Sequence, residues 1–192
     1  DPFALRRAAL GYLRLVQANG LELSLEQAAQ AWGGLGQAKL GTRVAEFLSD
    51  RLAVQLRDEG LRHDYIAASR DWDGKTDART DRIEARARAL AAFLATDNGT
   101  NLLAGYKRAA NILKKEEWQP SGAALSYTPE PAEKALIEAL DAAEPQAAAA
   151  IAAEDFGGAM AALASLRAPI DAFFEEVTVN ADNQNMRAAR LD

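Results

Sequence analysis

The chain has 192 residues, with 22 lysines and arginines against 28 aspartates and glutamates, a formal charge of −6, 49% hydrophobic residues and 7% aromatics. It has no cysteine, which excludes disulfides and thiol catalysis, and the sequence contains neither a signal-peptide pattern nor an apolar run of about 18 residues that could span a bilayer. Much of the hydrophobic content is alanine, the best helix former, so an all-α protein of about eight or nine helices is expected.

Taken in chain order, the first helix is expected from Phe3 to Ala18, stopping at Asn19-Gly20. Ser24-Leu25-Glu26-Gln27 has the form of a capping box and should open a second helix through Trp32, which the glycine cluster 33–36 breaks. A third helix spans Leu40 to Glu59, with Val44, Phe47, Leu48, Leu52 and Leu56 on one face, and stops at Gly60. His63 to Trp72 reads as a fourth, closed by Asp73-Gly74, and Ile83 to Leu94 as a fifth, ending at Asp97-Asn98-Gly99. Leu102 to Lys115 is the sixth. Residues 118–131, with Pro120, Gly122, Pro129 and Pro131, read as the longest irregular stretch. Ala132 to Ala153 follows, interrupted at Pro145, because proline lacks the backbone donor and clashes with the preceding turn. A last strong helix runs from Phe156 to Val177 with a kink at Pro169, and Asp182 caps a final turn from Gln184 to Leu191. The only strand candidate is Val177-Thr178-Val179, too short to matter.

An acidic protein is a poor general partner for nucleic acid, but the charge is uneven. Residues 1–60 are neutral, residues 61–115 carry +4 and residues 116–192 carry −10. A basic centre can bind RNA locally while the acidic remainder limits nonspecific adhesion; solvated helix faces are the plainer reading of the same pattern.

Catalytic readings fail on residue supply. With His63 the only histidine and no cysteine, zinc would have to be held almost wholly by carboxylates, and His63-Asp64 has no companions for a phosphohydrolase metal site. His63 is expected at a helix start. The glycine cluster lacks a following Lys-Ser/Thr, so it is no phosphate loop. Asn98-Gly99-Thr100 reads as a turn plus helix cap, and Glu175-Glu176 with Asp171 as a solvated face. In the sixth helix, Lys107, Asn111 and Lys114 share a face, with Arg108 and Lys115 beside them and Leu103, Tyr106, Ala110 and Leu113 on the adjoining apolar face. Such a stripe can pair with phosphates through its cations while an asparagine amide reads a base edge.

Four separated blocks resemble the C-terminal region of the bacterial glycyl-tRNA synthetase β subunit, in the same order and over nearly the whole chain. They are Asp1 to Gly11; Glu46-Phe47-Leu48 with Asp50-Arg51-Leu52 and Leu56 to Asp64, ending near Ile66; Tyr106 to Lys115; and Leu166-Arg167 with Ile170 to Val177, followed by Met186-Arg187 and Arg190-Leu191. The last block also resembles the helical anticodon-binding domain of arginyl-tRNA synthetases, while the first favours the glycyl β subunit. The segment Val177-Thr178-Val179-Asn180 departs from the methionine-rich stretch usual there, and the family continues through another helix beyond Asp192, so a truncated final packing layer is expected.

The resemblance implies a helical segment at 1–38 leading into an anticodon-binding domain at 39–192, related to that of arginyl-tRNA synthetase. It implies a module of a cytoplasmic ligase that joins glycine to tRNA(Gly), assembled with an α subunit in a hetero-oligomer. ATP and magnesium are then expected at the α subunit, with no cofactor and no catalytic residue here. Lys107, Arg108, Lys114 and Arg190 are expected as phosphate contacts and Asn111 and Arg187 as base-edge readers, with Asn180 and Asp182 also touching the anticodon. Arg51 is a weaker candidate, and Phe173 and Phe174 are expected in the core. A helical scaffold for α/β assembly, without direct anticodon reading, is the competing expectation.

Overall fold

The computed structural model describes residues 2–33, 38–72, 74–119 and 126–191. Gly34 and Gly36 of the glycine cluster, Asp73 of the fourth helix stop, and Pro120 and Gly122 of the long loop lie outside the described residues. The chain divides into two compact units, 1–92 and 93–192. The boundary expected after residue 38 falls inside the first.

Unit 1 holds α1 (Pro2–Asn19), α2 (Leu25–Gly33), α3 (Ala38–Asp58), α4 (His63–Ser69), a two-stranded ribbon of β1 (Asp71–Trp72) and β2 (Lys75–Thr76), and most of α5 (Thr80–Leu94). Three of these helices bury a stripe at three- and four-residue spacing: Ala9, Leu13 and Val16 on α1, Ala45, Leu48, Leu52 and Leu56 on α3, and Ile83 and Ala87 on α5. Leu13, Leu52, Leu56, Ile66, Ile83 and Ala87 form one core cluster. Ala9, Leu25, Ala45 and Leu48 form another, with Val44 and Phe47 packed against it. The Asn19-Gly20 stop holds, with the Leu21 N–H donating to the Val16 carbonyl at 3.0 Å. His63 opens α4 as expected.

The ribbon was not expected. The fourth helix ends at Ser69 instead of running to Trp72, and the strands pair antiparallel, Asp71 with Thr76 and Trp72 with Lys75. Asp77, which follows them, has a fully buried side chain. It accepts from Arg82 Nε (2.7 Å) and Nη2 (2.8 Å), from Arg86 Nη1 (2.8 Å) and from the Arg79 backbone N–H (3.0 Å). Arg86 also donates to the Ser69 carbonyl, and both guanidinium carbons lie within 4.9 Å of the Trp72 ring centre. One carboxylate thereby ties the ribbon to α5 and to the end of α4. No local pattern announces this, because the partners are five and nine residues away.

Unit 2 holds α6 (Asp97–Lys115), α7 (Pro131–Ala152), α8 (Phe156–Ala164), α9 (Arg167–Glu176) and α10 (Gln184–Leu191). Ala132, Phe173 and Val177 form its described core cluster, with Leu136 and Phe174 against it. Four local expectations are corrected. Asn98 and Gly99 do not end α5 but lie in the first turn of α6, whose cap is Thr96, accepting from the Gly99 N–H at 3.1 Å. Glycine is required there because a Cβ would sit 2.2 Å from the Phe93 carbonyl oxygen. The α7 helix runs through Pro145, since Pro145 and Asp141 one turn earlier both face solvent, where water can satisfy the freed carbonyl. The expected kink at Pro169 is instead a full break at Ser165-Leu166. The helix restarts at Arg167, so Pro169 falls in a first turn, where no intrahelical N–H bond is lost. Asn183, not Asp182, caps α10, its Oδ1 accepting from the N–H groups of Asn185 (3.0 Å) and Met186 (3.2 Å). Val177 is extended, but the ribbon at 71–76, not 177–179, is the strand pair among the described residues.

Burial alone would push the Asp77 carboxyl up, but hydrogen bonds from Arg82, the Arg79 backbone and Arg86 outweigh it and hold the group below the usual carboxylate range. Its stabilisation is therefore complete above the unfolded value of about 4 and is lost as pH falls through the lower folded value. Asp77→Asn is expected to cost about 3 kcal/mol at pH 7, read by urea denaturation, and to flatten the loss of stability below about pH 4.

Candidate nucleic-acid interface

Apart from the weaker candidate Arg51, all the sequence-expected contact residues lie in unit 2, and the structure sorts them. Lys107, Asn111, Lys114 and Lys115 are exposed along α6. Two cations in its last turn also suit the negative end of the helix dipole. Tyr106 does not share the half-buried state of Leu103, Ala110 and Leu113, as its spacing suggested; it is 68% exposed. Arg108 is exposed, yet its guanidinium carbon sits 4.3 Å over the Phe174 ring, and its Nη2 approaches the Phe174 carbonyl at 3.4 Å. Phe173 and Phe174 meet edge to face, Phe173 buried and Phe174 half-buried, as expected of core aromatics.

Arg190 is corrected. Its side chain is only 2% exposed. Its Nη2 is paired with Glu130 and with Glu133 (3.3 Å), and its Nη1 donates to the Thr178 carbonyl at 2.8 Å. A group spent in this way cannot also hold a phosphate. Glu133 is buried too, receives the Tyr127 hydroxyl and accepts from the Glu130 N–H at 3.2 Å. Burial disfavours the charged guanidinium, but the bonds to Glu130, Glu133 and Tyr127 outweigh this and raise its pKa. Burial, then the Glu133 carboxylate, raises that of Tyr127. Arg190 is thus a clasp that ties α10 and the backbone at Thr178 to the first turn of α7.

The clasp positions the loop carrying Asn180 and Asp182. Both are exposed, and the Ala181 N–H donates to the Val179 carbonyl at 3.0 Å to tighten the turn. Arg187, on α10, pairs with Glu116, the residue capping α6 directly after Lys114 and Lys115. The structure therefore brings Arg187 to the basic end of α6, with its side chain still 42% exposed. Three acids of the tail, Glu116, Glu130 and Glu133, are each matched to an arginine from α10. Among the described residues, no group of three or more His, Asp or Glu is placed to hold a metal, and no helix is long and apolar enough to cross a membrane. Arg51, in unit 1, lies over the Phe47 ring at 4.5 Å.

Asp171 and Glu175, read from the sequence as a solvated face, are exposed, and with Asn101, Arg167, Arg108 and Phe174 they line a cleft of about 360 Å³ that the sequence did not announce. Asp171 and Glu175 share a face at i, i+4, but nothing in that spacing says which helix they meet.

Comparison with known proteins agrees with this division of the chain. Residues 1–71 match the family profile described as glycyl-tRNA synthetase beta subunit, and residues 102–192 match that of the DALR anticodon binding domain. Proteins named glycine–tRNA ligase beta subunit from Ruegeria sp. and Paracoccus denitrificans are each 46% identical to the chain over its whole length, and one from Cereibacter sphaeroides is 45% identical. The chain spans about 28% of the length of the Ruegeria protein.

The clasp gives a direct test of how these residues divide between packing and surface. Arg190→Met leaves Glu133 buried without its cation and is expected to lower the unfolding free energy by about 3–5 kcal/mol. Lys107→Ala, on the exposed face, should shift it by less than about 0.5 kcal/mol in the same urea titration.

Proposed function

From the matches of residues 1–71 to the glycyl-tRNA synthetase beta subunit profile and of residues 102–192 to the DALR anticodon binding domain, we propose that the chain is the anticodon-recognition module of a cytoplasmic glycine–tRNA ligase, acting on tRNA(Gly) alongside an α subunit. The observation that carries this reading is the exposed cationic face of α6 within the unit that matches an anticodon-binding domain. Lys107 and Lys114 hold loop phosphates, which fix position without reading sequence. Asn111 and Arg187 offer amide and guanidinium groups to unstacked base edges. Asn180 and Asp182 approach the same loop from the turn that Arg190 restrains. The chain supplies no catalytic residue; ATP and magnesium belong to the α subunit of the hetero-oligomer.

The long-range acidity of the protein opposes RNA, so affinity depends on these few local cations and falls with salt. Lys107→Ala and Lys114→Ala are each expected to reduce the slope of log affinity against log salt by about one, for tRNA(Gly) transcript measured by filter binding. An anticodon-swapped transcript should bind more weakly by about 1–3 kcal/mol, by analogy with misread base pairs in DNA sites. Unchanged slopes and equal affinity for both transcripts would overturn the assignment.

A further inference from the structure

The cleft between α6 and α9 is not used by the cationic stripe, and its chemistry is unusual for an RNA-binding face. Its walls carry the carboxylates of Asp171 and Glu175 as well as Arg108 and Arg167. Asp171 is partly committed, 3.6 Å from Arg167 Nε, and Arg167 in turn donates to Asn98 Oδ1 at 3.0 Å. Glu175 and Asn101 have no such engagement among the described residues. Glu175 is exposed and Asn101 half-buried at the rim. A carboxylate beside a polyanion costs affinity unless it accepts a hydrogen bond from the nucleic acid.

The second feature is the stack beneath. The Arg108 guanidinium carbon lies 4.3 Å over the Phe174 ring, and the residue is exposed, which leaves its planar group accessible to a flat partner. A base stacks on an arginine plane as it does on an aromatic one. The floor is firm because α6 and α9 approach closely at Gly105, where a Cβ would lie 2.9 Å from Ile170 Cγ2.

We propose that this cleft is a base pocket for an unpaired cytosine, stacked on Arg108 and read at its 4-amino group by Glu175, with Asn101 at the opposite edge. The proposal rests on the anticodon-binding reading, since glycine codons begin with two guanines and their anticodons carry the complementary cytosines. Carboxylates accept from the cytosine 4-amino group. Uracil presents a carbonyl oxygen at that position and would face the carboxylate acceptor to acceptor. Arg108 accordingly acts as a stacking plane, not as a phosphate clamp, and specificity resides on the acidic wall of the cleft.

The sign of one substitution separates this from a solvated surface. Glu175→Gln removes a negative charge from an exposed position, which on electrostatics alone strengthens binding to any RNA. The full-length protein and its Glu175→Gln and Arg108→Lys variants are titrated with anticodon stem-loops whose anticodon cytosines are retained or changed to uridine. The expected result is about a tenfold loss of affinity for the cytosine loop in Glu175→Gln, with the uridine loop unchanged or bound more tightly. Arg108→Lys keeps the charge but loses the plane, and should weaken the cytosine loop also. If Glu175→Gln tightens both loops equally, the pocket is overturned while the anticodon-binding reading stands. If the unmodified protein binds neither loop, that reading falls and the pocket with it.

Discussion

A carboxylate withdrawn from water must be given donors, and in the C-terminal unit that constraint is met by one arginine from the last helix. Glu133 lies in the first turn of α7, buried, and takes Arg190 and the Tyr127 hydroxyl. Since Arg190 also grips the Thr178 carbonyl, satisfying one buried charge fixes α10, the start of α7 and the α9–α10 turn together. Removing either partner would leave the other charged and dry, which costs far more than a surface pair contributes. The N-terminal unit uses the same device: Asp77, with two arginines and a backbone N–H, holds the ribbon on α5.

In the C-terminal unit these clasps sit beside an exposed cationic face on an acidic protein. Glu116, Glu130 and Glu133 of the tail are paired with arginines of α10, while the lysines of α6 remain exposed. Net charge is therefore a poor guide to the local field, which is set by the charges left without internal partners. The tight packing of α6 on α9 gives that face a rigid base, and recognition built on helices needs little ordering when the partner arrives.

The expected elements were legible where their signals were local. The apolar stripe of α3, the Asn19-Gly20 stop and the Ser24 cap all depend on residues within a turn or two of each other, and they stand in the structure. Pro145, Pro169 and Asn98-Gly99 were misread because breaker residues have two uses. A proline may end a helix or occupy its first turn, and a glycine may stop a helix or admit a neighbouring carbonyl. Which use applies depends on what stands opposite: solvent at Pro145, the Phe93 carbonyl at Gly99.

By itself the sequence determined the helical class, the resemblance to glycyl-tRNA synthetase β subunits, and the exposed placement of Lys107, Asn111 and Lys114, because composition, block order and helical period are properties of the chain read in one dimension. Only the tertiary structure decided that Arg190 is a clasp, that Arg187 meets the end of α6, that Tyr106 is exposed, and that Arg108 lies against Phe174. The physical reason is separation. Arg190 and Glu133 are 57 residues apart and Arg187 and Glu116 are 71. An arginine's spacing within its own helix tells which way it faces, and says nothing of whether a carboxylate or water will be waiting there.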